Sequence, residues 1–285
     1  MSILKIALQK SGRLHDQSLQ LLSDCGLRID NGKDTLRVKA SNFDLEIYYL
    51  RNSDIPQYLY DGVVDLGVIG ENLLVEYPGP AEVLLPLGFA KCRLSLALPT
   101  NEQAVDLSFY QGKKIATSYP VALRQFLEEN QLEASIHRIS GSVEIAPGLG
   151  LADAICDLVS TGNTLYRNGL REDRVLLRSQ AVLVRRTGDL GSGQALLDQL
   201  LFRMQAVIRA RKSKYILLNA PNNKIETITG LLPVLKSPTV LPLALEGWSS
   251  VHSVIEEERF WAVIDDLKAA GAEGILVMPI NTLVA

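Results

Sequence analysis

ADAICDLVSTGNTL, from Ala152 to Leu165, is an apolar run that ends in a carboxylate and then a string of small residues. Its spacing predicts a buried strand with Asp157 near the carboxyl end, where open α/β sheets place their ligands. Ser160, Thr161, Gly162, Asn163 and Thr164 are small, hydroxyl-bearing or tolerant of positive φ. A loop of that kind can turn successive backbone N–H groups toward one anion. A carboxylate for a ribose diol followed by an anion nest suits a ribose phosphate. The same residues also suit a capped strand-to-helix turn, with Thr164 or Ser160 as N-cap. Spacing alone leaves both readings open.

Outward from this stretch, short apolar runs alternate with helix-period segments. Upstream, GKKIATSYP (112–120) predicts a strand, VALRQFLEENQ (121–131) a helix and ASIHRIS (134–140) a strand. Downstream, RVLLRSQAVLVRRT (174–187) alternates like strands leading out of the lobe, and QALLDQLLFRMQAVIRARKSK (194–214) is an amphipathic helix with a basic end. The N-terminal part has the same grammar. Ile3–Leu8 is a strand, and Leu14–Cys25 a helix ended by Gly26. DTLRVKA and FDLEIYYLR form a hairpin around Ser41-Asn42, and SDIPQYLYDG a helix capped by Ser53 or Asp54. VDLGVIG, LLPLGF and RLSLALP are strands, and ENLLVEY a short helix. Two α/β lobes joined by a double crossover follow, with a cleft between lobes as the natural ligand site. From Tyr215 on, the order strand, helix, two strands, helix, strand is the ferredoxin-like βαββαβ unit. No internal repeat is visible.

The chain has 285 residues, 47% hydrophobic and 21% charged, with a net charge of −3. That composition is globular and excludes disorder for most of the length. The acidic balance argues against nucleic acid as partner. Cys25, Cys92 and Cys156 form no disulfide or zinc framework and suit a reducing cytoplasm. The start MSILKIALQKSGR reads as a first strand, with no export signal, and no apolar run nears the roughly 20 residues of a membrane span.

Other chemistry is sparse. His15, His137 and His252 are isolated, and the H-E-x-x-H, G-x-S-x-G and Walker A patterns are absent. GLGLAD at Gly148 imitates a dinucleotide loop but follows Pro147 and lacks the third glycine. Lys10 and Arg13 flank Gly12 at a predicted helix start, where the dipole favours anions. They read as a polyphosphate site or, more simply, as solvated cations. Arg51, after a strand, is a weaker case of the same kind. Ser118 and Tyr119 stand at another strand end, where a turn is the plainer reading. Glu144 and Asp153 are acids in an apolar region, within reach of a ribose or metal or merely on a strand edge. Arg209, Arg211, Lys212 and Lys214 close the long helix.

EIAPGLGLADAICDLVSTGNTL, Glu144 to Leu165, resembles the signature of the ATP phosphoribosyltransferase family, which opens histidine biosynthesis. KSGRL (10–14), DLGVIG (65–70), KIATSYP (114–120) and the tail SPTVLPLA…GW…LKAAGAEGILVMPI match as well, so the resemblance covers essentially the whole chain. The tail resembles that of the long form. The resemblance implies two lobes like a type II periplasmic binding protein plus a ferredoxin-like (ACT-like) regulatory domain. It divides the chain into lobe I at 1–94, completed by about 178–210, lobe II at 95–177, and the regulatory domain at 211–285. It implies transfer of phosphoribosyl from PRPP to N1 of ATP with inversion, releasing pyrophosphate. It implies Mg²⁺ held mainly by substrate phosphates, without a dedicated protein cage. Asp157 and Ser160–Thr164 would bind PRPP, with Glu144 and Asp153 beside them. Lys10, Arg13, Arg51 and Asn72 would lie on the nucleotide side. Asn219, Leu235, Thr239 and Gly274 match the family's L-histidine site, and Asn219 stands where some members carry Asp. A cytoplasmic homo-oligomer, dimer to hexamer, needing no separate regulatory subunit, is implied. The competing expectation is a non-catalytic two-lobed small-molecule-binding protein.

Overall fold

The computed structural model describes residues 3–30, 35–102, 104, 106–232 and 237–284. Two compact units emerge, one of residues 1–23 and 27–197, the other of 24–26 and 198–285.

The first unit holds two sheets. In lobe I, β1 (Leu4–Gln9) leads into α1 (Arg13–Asp24), and β2 (Arg37–Lys39) pairs antiparallel with β3 (Leu45–Leu50) as the expected hairpin. After α2 (Ile55–Tyr60), β4 (Leu66–Gly70), α3 (Glu71–Glu76) and β5 (Ala81–Pro86), the chain leaves for lobe II and returns as β11 (Ala181–Arg186). The sheet order is β2-β3-β1-β4-β11-β5, with β1, β3 and β4 parallel and β11 antiparallel to its neighbours. Ala7, Ile55, Leu59, Val64, Ile69, Leu73, Val182 and Val184 form one of its cores.

Lobe II contains β6 (Cys92–Pro99), β7 (Lys114–Thr117), α4 (Pro120–Glu129), β8 (Ser135–Arg138), β9 (Ala154–Val159), α5 (Asn163–Arg167) and β10 (Leu170–Ser179), in sheet order β10-β6-β9-β7-β8. Strand periodicity decides what covers each face. Leu94, Leu96, Leu98, Ala154 and Cys156 pack under α4. Ala97, Ile155 and Val159 pack on the other side with Val143, Ala146 and Leu165. Asp157 falls in phase with this second set.

Two local expectations are corrected. The strand expected at LLPLGF begins earlier, at Ala81, and ends at Pro86, since its partners on β11 run from Arg186 back to Val182. The N-cap Asp54 of α2 makes no side-chain cap; its carboxylate accepts from Ser53 Oγ at 3.1 Å.

The second unit takes in most of α6 (Gln194–Arg211), then β12 (Ser213–Pro221), α7 (Ile225–Leu231), β13 (Thr239–Pro242), β14 (Trp248–Glu256), α8 (Glu257–Ala269) and β15 (Glu273–Pro279). Its antiparallel sheet has the order β13-β14-β12-β15, the βαββαβ arrangement expected. Ile216, Leu218, Ala220, Val251 and Ile255 face Ile228, Phe260 and Leu267 of the two helices.

Candidate functional site

The carboxyl ends of the parallel strands carry the polar residues of the first unit. Lys10 follows β1 directly, its N–H donating to Leu50 O at 2.8 Å, and Arg13 opens α1. Arg51 follows β3, Asn72 stands in the first turn after β4, and the loop 160–164 follows β9. Lys10, Arg13 and Arg51 are exposed. The guanidinium of Arg13 reaches into lobe II, donating from Nη1 to Ser160 Oγ at 3.2 Å.

Asn72 is buried. Its N–H donates to Ser179 Oγ at 3.1 Å, and its Oδ1 accepts from the same hydroxyl at 2.9 Å. Its Nδ2 has no partner among the described residues.

Asp157 is half-buried, and Oδ1 accepts from the N–H of Leu158 at 2.8 Å. Burial raises its pKa to about 6; the Glu144 carboxylate nearby adds to the rise, and the Leu158 N–H opposes it. Glu144 lies on the 3₁₀ turn Val143–Ile145 beside the Asp157 face of β9. Across the sheet, Tyr119 is half-buried with Asp157, Cys92 and Glu76 around it, and desolvation pushes its phenol well above the usual range.

The loop does not cap as the turn reading requires. Gly162 is the N-cap of α5 at φ +83°, a left-handed conformation suited to glycine, and no side chain caps the helix. The hydroxyls of Ser160, Thr161 and Thr164 are left to other work, and all three residues are exposed. With five residues, α5 contributes little dipole, so any anion here is held by loop amides and hydroxyls.

Asp153 is not brought to this place. It precedes β9, at the end opposite the loop, about 13 Å of strand from Asp157. Its carboxylate accepts from the Lys114 N–H at 2.8 Å, closing the start of the sheet. Ser118 is likewise engaged, donating to Ile139 O at 2.7 Å.

Three charged residues at this site carry no sequence signal. Arg93 on β6 donates from Nη1 to the Ser160 carbonyl at 3.1 Å and forms a fork with the Glu172 carboxylate of β10. Glu76, buried on α3, accepts from the N–H groups of Val121 at 3.0 Å and Ala122 at 3.1 Å. Arg93 and Glu76 are isolated charges beside apolar runs and Glu172 is one of four consecutive charged residues, so only the spatial partner reveals the use of each. Among the described residues, no three His, Cys, Asp or Glu side chains cluster as a metal site.

In the second unit, Asn219 pairs with Ser250 and Thr239 with His252, on the sheet face away from α7 and α8. A Cβ on Gly274 would lie 3.3 Å from Asn219 Nδ2, so these two positions adjoin. Thr239 stands two strands away on the same face, and Leu235 lies outside the described residues.

Residues 51–206 match the family model described as ATP phosphoribosyltransferase, and residues 210–282 the model described as HisG, C-terminal domain. The chain is 51% identical over 283 residues to the ATP phosphoribosyltransferase of Cytophaga hutchinsonii, covering 99% of both chains. It is 50% identical over 282 residues to the ATP phosphoribosyltransferase of Bacteroides thetaiotaomicron, covering 99% of this chain and 100% of that one. Among solved structures, the ATP phosphoribosyl transferase (HisG:HisZ) complex from Thermotoga maritima aligns with a TM-score of 0.64 at 26% identity, over 73% of this chain and 99% of that chain.

Proposed function

The chain belongs to the ATP phosphoribosyltransferase family, and from that premise we propose which of its residues carry the reaction. The activity is transfer of phosphoribosyl from PRPP to N1 of ATP, giving N1-(5-phosphoribosyl)-ATP and pyrophosphate, the first step of histidine biosynthesis. Full-length kinship to enzymes of that name does not favour a non-catalytic binding protein.

One observation carries the site assignment: Asp157 stands near the carboxyl end of β9 beside Glu144, and the strand runs on into a loop whose hydroxyls cap nothing. The 5-phosphate of PRPP sits on the loop amides and the hydroxyls of Ser160, Thr161 and Thr164. Asn163 contributes its N–H. Asp157, ionised, accepts from the ribose hydroxyls and faces the positive charge that grows on the ribose as pyrophosphate departs. Adenine N1 is a weak nucleophile, so positioning does most of the remaining work. Lys10, Arg13 and Arg51 offer cations to polyphosphate from lobe I, with Asn72 behind them. Asp153 belongs to the sheet, not to the site.

Mg²⁺ supplies charge neutralisation on the leaving pyrophosphate when bound. The oxygen donors present fit it: Glu144 and Asp157 are two adjacent carboxylates, and a hard cation takes its remaining ligands from phosphates and water.

The proposal extends to regulation. The sheet face with Asn219, Thr239 and Gly274 takes L-histidine as feedback inhibitor, acting on the catalytic lobes through a quaternary change in a dimer-to-hexamer series. The HisG C-terminal match at residues 210–282 supports regulation within the chain, without a separate subunit. Working boundaries are lobe I at 1–94 completed by about 178–210, lobe II at 95–177, and the regulatory domain at 211–285. Three free thiols suit a cytoplasmic enzyme, and no described helix is long and apolar enough to cross a membrane.

The test is pyrophosphate release. Release is expected only when ATP and PRPP are both present with Mg²⁺, and Asp157→Ala abolishes it while leaving the circular dichroism spectrum intact. Normal turnover by that variant removes Asp157 from the mechanism.

A further inference from the structure

Arg93, Ser95 and Ala97 alternate on β6, on the same sheet face as Asp157 and Val159, with Arg93 opposite Val159 and Ser95 opposite Asp157. On the other side of β6, a register shift between Glu172 and Arg174 interrupts β10 next to Glu172. The carboxylate of Glu172 takes Nε and Nη2 of Arg93 as a fork and accepts from Ser95 Oγ at 2.7 Å. The pairing raises the pKa of Arg93 and lowers that of Glu172, each mainly through this hydrogen bonding, so the charge of the guanidinium is already answered. Its third nitrogen, Nη1, donates to the carbonyl of Ser160, the first residue of the loop, at 3.1 Å.

The chain has no cis peptide bond among the described residues. Across a trans peptide, the carbonyl and the next N–H point in opposite directions. Holding Ser160 O against Arg93 therefore turns the Thr161 N–H away from β6. We propose that Arg93, locked by Glu172 and Ser95, is a positioning residue that sets the first loop amide for the phosphate of PRPP. Its part is positioning and not phosphate binding: its charge is taken up by Glu172, and each of its three nitrogens already holds an acceptor within lobe II. Arg13 holds the same serine by its hydroxyl from lobe I, so the backbone of Ser160 is governed by Arg93 and its side chain by Arg13. This inference rests on the assignment of the loop to PRPP.

Steady-state kinetics with both substrates varied test it. Arg93→Ala is expected to raise KM for PRPP about tenfold while KM for ATP stays within about twofold, and Arg93→Lys, which keeps the charge but loses the fork, falls between. Free guanidinium ion at about 20–50 mM should recover part of the PRPP effect in Arg93→Ala and none in the parent enzyme, since it refills the vacated fork. Glu172→Gln is expected to raise KM for PRPP about threefold by loosening the fork, and it carries the test alone if Arg93→Ala does not fold. An unchanged KM for PRPP, or equal rises for both substrates without rescue, overturns the proposal. Thr161→Val and Asp157→Asn separate the two layers. If neither alters KM for PRPP or kcat, the loop assignment itself fails; if they do and Arg93→Ala does not, only the positioning role fails.

Discussion

Burial raises the pKa of Asp157 to about 6. An unfolded Asp titrates near 3.9, so between about pH 4 and 6 the folded chain binds more protons than the unfolded one. Stability from this group is therefore greatest below pH 4, declines as pH rises through that window and is level above it. Asp157→Asn removes the penalty: thermal melts should show little change at pH 4 and a gain of about 1–2 kcal/mol at pH 8. If the ionised oxygen answers the transition-state charge as proposed, the same variant should lose about a hundredfold or more in kcat. A variant no more stable than the parent at pH 8 means that the carboxylate is not held at a cost. Asp157 could be proposed from sequence because its loop follows it in the chain. Arg93 was not, since its partners Ser160 and Glu172 are 67 and 79 residues away.

At the scale of elements, α4 shows how a helix can borrow its start from elsewhere. Its N-cap, Tyr119, makes no side-chain cap, and the N–H groups of Val121 and Ala122 are taken by Glu76 of α3, 45 and 46 residues earlier. Burial raises the Glu76 pKa, and the two N–H donors oppose that rise. Glu76→Ala leaves two donors without an acceptor and should cost about 2–3 kcal/mol in urea unfolding, whereas Glu76→Gln keeps an acceptor and should cost about 1 kcal/mol. Equal costs for the two would show that the carboxylate acts by charge alone. The elements themselves were legible from periodicity, including the short hairpin and all six elements of the C-terminal βαββαβ arrangement. Their junctions were less so. The β5 strand was displaced because its span is dictated by β11, which comes about a hundred residues later. The Ser160 and Thr164 capping reading failed because the left-handed Gly162 begins α5 without help.

Over the whole molecule, both sheets of the first unit have one plan: a parallel trio with an antiparallel strand inserted before the last. No sequence repeat announces it, because apolar strand residues interchange freely while the order of pairing is kept. A net charge of −3 likewise says nothing of local anion sites built from a few cations and backbone amides. The C-terminal sheet is where composition is silent and position decides. Thr239 is exposed on the edge strand β13, so replacing it costs the fold little. If L-histidine lies on this face, Thr239→Ala removes a hydroxyl contact and should raise the half-inhibiting histidine concentration about fivefold to tenfold with kcat and both KM values unchanged. Asn219→Asp adds a carboxylate for the ligand's ammonium and should lower that concentration about tenfold at pH 7. The two variants move inhibition in opposite directions without touching the catalytic lobes, a pattern that general loosening of the domain cannot produce. Inhibition curves for both that superimpose on the parent's would place the histidine site elsewhere.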